Sequence, residues 1–184
     1  DQNVLVWKVP PESESGRRMD LEDFHQAIKR KPESTAIELA EEGHLSCLAK
    51  YPRLRNELRF AYGKEVSRDF RQVEVHVRWG KAGTGKTRKP YEEGAFIFDD
   101  YENGWWDGYD GESVVLFDDF YGGIKWSFFL RLLDGYQVKL KIKGGFVWAR
   151  WTTVYITSNK PPSEWYAKGM VPELERRIKS ITEF

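Results

Sequence analysis

The eight residues Gly80-Lys81-Ala82-Gly83-Thr84-Gly85-Lys86-Thr87 carry the most specific chemistry in this 184-residue chain. They fit the pattern G-x-x-x-x-G-K-[ST]. Backbone N–H groups of such a loop wrap a polyphosphate: here Gly80, Gly83, Thr84, Gly85 and Lys86 form the cradle, and a following helix adds its N-terminal N–H groups. Lys86 neutralises the β and γ oxygens, and the Thr87 hydroxyl is placed to ligate Mg²⁺. The ligand expected is ATP with magnesium. The bland counterpart is a glycine turn between strand and helix, set aside because the strand that the motif requires precedes it.

Hydrolysis needs a carboxylate for the metal and a group that activates water. Val114-Val115-Leu116-Phe117-Asp118-Asp119 supplies both, because four apolar residues make a buried strand and its acids emerge at the carboxyl end, where open α/β sheets bind ligands. Asp118 is expected to hold Mg²⁺ and Asp119 to orient and deprotonate the attacking water. Ala95-Phe96-Ile97-Phe98-Asp99-Asp100 has the same form and is the competing choice. The later pair is preferred because a full strand-containing unit separates it from the phosphate loop. Val154-Tyr155-Ile156-Thr157-Ser158-Asn159 is another apolar run ending in an amide, and Asn159 can sense a γ-phosphate as donor and acceptor at once. Glu173 to Ile181 reads as a helix, from which Arg176 or Arg177 could project at a neighbouring subunit's phosphate as an arginine finger, although paired arginines by themselves more often mark a solvated face.

A second constellation is cationic. In Val138-Lys139-Leu140-Lys141-Ile142-Lys143 the lysines alternate with apolar residues, so Lys139, Lys141 and Lys143 share one face of a strand. Gly144-Gly145 then reads as a two-residue hairpin turn before Phe146-Val147-Trp148 returns. Such a face suits the phosphates of single-stranded nucleic acid. Its bland counterpart is a solubilising sheet edge guarded by lysines. Trp105-Trp106 and Trp165-Tyr166 are read as core aromatics rather than as base-stacking platforms.

The elements that must position these groups fall into three segments. Residues 1–19 contain Pro10-Pro11-Glu12-Ser13-Glu14-Ser15-Gly16 and read as a linker or arm. Residues 20–68 read as a small helical unit: one helix capped by Asp20 and ended by Pro32, a second from Ser34 or Thr35 to Gly43, and a third after Pro52. Residues 69–184 change to short β-rich runs divided by glycines, which predicts an α/β domain with a mainly parallel sheet. In that domain the helix from Arg88 should run about two turns, with Pro90 as an irregularity.

Composition narrows the class. Hydrophobic residues make up 40% and aromatics 15%, enough for a core, and the formal net charge is zero. The charge is segregated instead: Tyr91 to Asp119 holds ten acids and no Lys or Arg, whereas Asp134 is the single acid from Phe120 to Lys160. Cys47 is the only cysteine, which excludes an internal disulfide and fits a reducing compartment. No apolar run approaches the length of a membrane span. Asp1-Gln2-Asn3-Val4 has no initiator Met and no signal-peptide pattern, so the chain reads as a piece of something longer.

Taken together the motifs resemble the helicase region of the replication initiators (Rep) of circoviruses and related circular single-stranded DNA viruses, which are superfamily 3 helicases of the AAA+ type. The resemblance covers roughly Asp20 to Ile181 and rests on Gly80 to Thr87, Trp105-Trp106-Asp107-Gly108-Tyr109, Asp118-Asp119-Phe120-Tyr121-Gly122, Lys143-Gly144-Gly145, and Ile156-Thr157-Ser158-Asn159 with Glu164-Trp165-Tyr166. It implies a hexameric ring on single-stranded DNA, in the nucleus of a host cell, with ATP between subunits. It also implies that the hairpin ending in Lys143-Gly144-Gly145 lines the channel, that the helical unit mediates oligomerisation, that Asn159 is the sensor and that Arg176 or Arg177 is the trans-acting finger. Full-length members add a nicking domain with a His-hydrophobic-His site and a Tyr-x-x-Lys motif. The chain has no His-x-His, and Tyr136-Gln137-Val138-Lys139 has the second spacing only where the hairpin begins, so no nicking is expected. The rival readings are a P-loop phosphotransferase or another AAA+ ATPase, and a nucleic-acid-binding oligomerisation module that holds nucleotide only as a structural ligand.

Overall fold

The computed structural model describes residues 19–184; the arm expected at residues 1–19 lies, but for its last residue, outside them. Helix α1 (Met19–Arg30), α2 (Ala36–Leu39), α3 (Leu45–Lys50) and α4 (Pro52–Val66) come first. Strand β1 (Glu74–Trp79), helix α5 (Arg88–Glu92), strands β2 (Phe96–Phe98) and β3 (Val114–Phe117), and helix α6 (Trp126–Leu132) follow. The hairpin β4 (Lys139–Ile142) and β5 (Gly145–Trp148), strand β6 (Thr153–Ser158), the short helix α7 (Pro172–Glu175) and strand β7 (Ile178–Glu183) complete the order.

The helices bury one small cluster of Phe24, Ala27, Ile28, Leu39 and Cys47, with Leu58 and Tyr62 packed on it. Thr35 caps α2: its hydroxyl accepts from Glu38 N, and the Glu38 carboxylate accepts from Thr35 N. Asp20 lies inside the first turn of α1 instead of ahead of it, where its charge still complements the helix dipole. Gly43 does break the path, at φ 95°. The chain does not stop there, however, because a π-helical turn (Ala40–His44) leads into α3, which buries Cys47 against α1. Pro52 opens α4 at its first position, where a missing N–H costs nothing.

The sheet is five-stranded, ordered β2-β3-β6-β1-β7, with every pairing parallel. It is thus an α/β domain of the P-loop type. Val75, Val77, Val115, Leu116, Phe117, Val154 and Ile156 are all fully buried, as a sheet covered on both faces requires. Large aromatics fill one face: Trp106 stacks on Trp151 at 5.0 Å and on Phe98 at 4.3 Å, and Phe120 stacks on Phe129 at 4.6 Å. Trp106 and Trp165 are therefore core side chains, as expected, whereas Tyr166 is half-buried and Trp105, against expectation, is exposed.

Two expected elements differ. Glu173 to Ile181 is one turn of helix followed by β7, because β7 covers the exposed flank of β1 and pairs with it from Val75 to Trp79. In the hairpin, Ile142 pairs with Gly145, so Lys143-Gly144 makes the turn in place of Gly144-Gly145. Only Gly144 needs the left-handed region there, at φ 86°. Helix α5 is five residues, shorter than two turns, and this accounts for Pro90. Pro90 is the third residue of α5, among the first four N–H groups that have no partner inside any helix.

The helical cluster docks on the hairpin side of the sheet. Asp110 is the focus: its carboxylate accepts from Arg55 at 2.8 Å and from the Ala36 N–H at 3.1 Å, and it also pairs with Arg59. Phe60 stacks on Trp148 at 4.7 Å, and Trp148 Nε1 donates to the Phe60 carbonyl at 2.9 Å.

Candidate functional site

Parallel strands put all their carboxyl ends on one edge, and the order β3-β6-β1 makes three of those ends neighbours. Phe117 is in register with Ile156 and Trp79 with Ser158. The next residues therefore face one another: Asp118 with Thr157, and the start of the phosphate loop with Asn159. Side-chain geometry follows the register. Thr157 donates to Asp118 Oδ1 at 2.5 Å, and the Asp119 N–H donates back to the Thr157 hydroxyl at 3.0 Å.

Lys86 is buried, and its ammonium donates to Gly80 O at 2.9 Å, Lys81 O at 2.6 Å and Asn159 Oδ1 at 3.0 Å. Gly80 has no alternative. A Cβ there would lie 2.1 Å from the Phe184 carbonyl oxygen, at the end of β7, and its φ is 141°. Gly83 and Gly85 also have positive φ, at 81° and 85°, so the loop curls back as a phosphate cradle does. Thr84 ties the loop internally, its hydroxyl donating to Lys81 O at 2.8 Å.

Asn159 is the hinge of the network. Its amide oxygen accepts from Lys86, while Nδ2 donates to Asp119 Oδ1 at 2.9 Å and to the Tyr121 hydroxyl at 2.7 Å. Tyr121 itself donates to Asp119 Oδ1 at 2.7 Å, and that bond raises the phenol above its ordinary pKa. Asp119 holds φ at 50°, the only positive value outside glycine among the described residues. Strain of this kind persists where surrounding contacts fix it. Here the Thr157, Asn159 and Tyr121 bonds do so.

Thr87 Oγ1 stands 3.1 Å from Asp118 Oδ1. A hydroxyl and a carboxylate are hard oxygen donors, and Mg²⁺ is commonly held by one or two carboxylates with substrate phosphates, so this pair fits that ion. The structure thus brings Lys86, Thr87, Asp118, Asp119 and Asn159 to one place. Asp99-Asp100 ends β2 on the same sheet edge but beyond β3, farther from the phosphate loop than Asp118-Asp119. Asp100 accepts from Asn103 N at 3.1 Å and Trp105 N at 3.2 Å, so it caps its own turn, and those bonds lower its pKa.

The arginines separate. Arg177 is largely buried, donates to Asp134 Oδ2 at 2.6 Å and to Glu173 O, and so ties α7 to the end of α6. Arg176 is exposed. Thr157 and Tyr121 are the members that motif reading missed. Thr157 had one signal, a hydroxyl set inside an apolar strand two residues before the position facing the loop.

On the hairpin, Lys139 and Lys141 are exposed while Leu140 and Ile142 are buried. Lys139 Nζ lies 4.1 Å from the Phe146 ring centroid and Lys141 Nζ 4.6 Å from that of Trp105. Lys143 is engaged by Asp107, which accepts from its N–H at 2.6 Å and lies 3.4 Å from its ammonium.

Known proteins resemble the chain over the segment that carries these groups. A family model described as RNA helicase matches residues 76–160, which run from β1 through the hairpin to just past Asn159. The replication-associated protein of porcine circovirus 2 is 37% identical over 188 residues, covering 98% of this chain and 57% of that protein. The chain is a helicase region of the circovirus Rep type. The replication-associated protein of porcine circovirus 1 is 40% identical over 166 residues, covering 84% of this chain and 53% of its own length. That of beak and feather disease virus is 44% identical over 115 residues, covering 62% of this chain and 39% of that protein. The chain spans about half the length of the first two relatives. Among the described residues no helix of this Rep-type region is long and apolar enough to cross a membrane.

Proposed function

We propose that this Rep-type region is an ATP-dependent DNA helicase or translocase domain of the AAA+ class, hydrolysing ATP between the subunits of a ring on single-stranded DNA. One observation carries the reading: Asn159 bridges the ammonium of Lys86 and the carboxylate of Asp119. An amide in that position touches both the group that meets a γ-phosphate and the group that meets water, so the state of one is felt at the other.

The roles follow from the contacts. Gly80, Gly83, Thr84 and Gly85 cradle the phosphates, Lys86 exchanges its loop-carbonyl partners for phosphate oxygens, and Thr87 with Asp118 holds Mg²⁺. When bound, the ion screens the charge on the phosphates. Asp119, steered by Asn159 and Tyr121, accepts the proton of the attacking water. Arg176, exposed where Arg177 is committed to Asp134, is the finger offered to the next subunit. Lys139, Lys141, Lys143 and Gly144 form the DNA-facing hairpin of the ring channel. Residues 20–68 serve as the oligomerisation unit of a domain at 69–184, supported by exposed Ile37 and Leu45 on that unit. A hexamer and a nuclear setting come with the Rep resemblance, and these residues would not nick DNA.

Steady-state ATP hydrolysis with and without single-stranded DNA tests the reading. DNA-stimulated turnover is expected. Phosphate transfer to a small acceptor would make the chain a phosphotransferase, and nucleotide binding without turnover would leave an oligomerisation module with a structural ligand.

A further inference from the structure

Beside the hairpin lies a cavity of about 480 Å³, between the turn at residues 101–104, the segment at 123–128 and the outer face of β4 and β5. Tyr101, Phe128 and Phe146 supply aromatic walls, and Lys125, Lys139 and Lys141 stand around it. Phosphate recognition alone does not call for aromatic walls. We propose that this cavity receives a base of the single strand whose phosphates the hairpin lysines contact, which makes it a nucleotide subsite separate from the ATP site.

Three features support the assignment. The volume falls within the range of small-molecule sites, about 300–1,000 Å³, and comfortably encloses one base. The charge is right, with three lysines facing one acid, Glu102, so a phosphodiester at the mouth is favoured. The walls are also preformed. Tyr101 is fixed by donating to the Asp118 carbonyl at 2.7 Å, and Gly123 packs so closely that a Cβ on it would stand 2.9 Å from Tyr101 Cβ. Phe146, 41% exposed, offers a ring face to a base and is held beneath the Lys139 ammonium. Asn103 also lines the cavity, its Nδ2 donating to Asp100 Oδ1 at 3.2 Å, which leaves the amide oxygen as an acceptor for a base edge.

This inference rests on the DNA-binding reading above, and its test separates the two. The full chain is titrated with fluorescent oligothymidine and with an abasic phosphodiester of equal length and charge. Base stacking contributes about 1–3 kcal/mol per base, so oligothymidine should bind on the order of tenfold tighter. Phe146→Ala, a surface change, should bring the two affinities together, and Phe146→Trp should keep them apart. Equal affinity for both oligomers in the wild type overturns the base subsite while leaving backbone binding intact. Binding of neither overturns both readings, and a thymidine preference that survives Phe146→Ala places base recognition elsewhere.

Discussion

At the carboxyl edge of the sheet, charges are committed to protein partners: Lys86 has three acceptors, Asp119 accepts from Asn159 and Tyr121, and Asp118 accepts from Thr87 and Thr157. On the hairpin the arrangement is reversed. Lys139 and Lys141 rest on aromatic faces, and of the three hairpin lysines only Lys143 has an ion-pair partner among the described residues. The difference fits the proposed ligands. A nucleotide arrives with fixed geometry and rewards preorganised groups, whereas a translocating strand presents the same phosphate again and again, so its contacts must be strong in sum and weak one by one.

The sharpest way to break the comparison is at Lys86. Lys86→Ala should remove nucleotide binding or cut turnover by about 10²–10³, as expected when a group facing developing charge is removed. Wild-type hydrolysis in that variant would reduce the loop to a turn. Next in size is the arginine pair. Arg176→Ala should lower turnover of the assembled protein by about 10³ with an unchanged melting temperature. Arg177→Ala should instead lower stability by about 1–3 kcal/mol in a thermal melt, because Asp134 loses its partner. If the two phenotypes were exchanged, the finger assignment would fall.

Thr157 tests whether the acids need their buried support. Thr157→Val keeps the volume but removes the bond to Asp118 Oδ1 and the acceptor of the Asp119 N–H. We expect kcat to fall roughly 10- to 100-fold with KM little changed, since an ångström-scale misplacement costs about that much, and Thr157→Ser to recover most of it. Equal loss in the serine variant would point to packing instead of positioning.

Much of the cluster proposed as the nucleotide site is legible in the sequence alone. Lys86, Thr87, Asp118 and Asp119 are readable because their spacing is set by local chain geometry, a loop closing on phosphates and a strand ending in acids. The lysine alternation reveals the hairpin, although the turn sits one residue earlier because Asp107 binds the Lys143 N–H. Thr157 is hidden because its role depends on which strand lies alongside β6, and one sequence does not show register. Strand β7 is hidden for a different reason. Leu174, Ile178 and Ile181 recur at helical spacing, and β7 is mostly exposed, so no period-two burial marks it. Its strand state comes from the hydrogen bonds that β1 offers, a tertiary pull that overrides local pattern. Helix α3 escapes notice because Gly43 looks like a stop, and Cys47 finds its place against α1 only after the turn.

The smallest effect separates the three lysines. Removing one phosphate-binding cation from a single-strand site should lower the slope of log K against log salt by about 0.7. Lys139→Ala and Lys141→Ala should each show close to that change, because their ammonium groups lie over rings whose quadrupole leaves the positive charge intact. Lys143→Ala should show clearly less, since Asp107 already neutralises part of its charge, 3.4 Å away. Asp107→Asn then becomes the informative reciprocal. Freed of its acid, Lys143 should steepen the slope and tighten binding at low salt. A slope unmoved by any of the four changes would make the alternating face a solubilising edge. Equal changes from all three lysines would mean that DNA draws Lys143 away from Asp107.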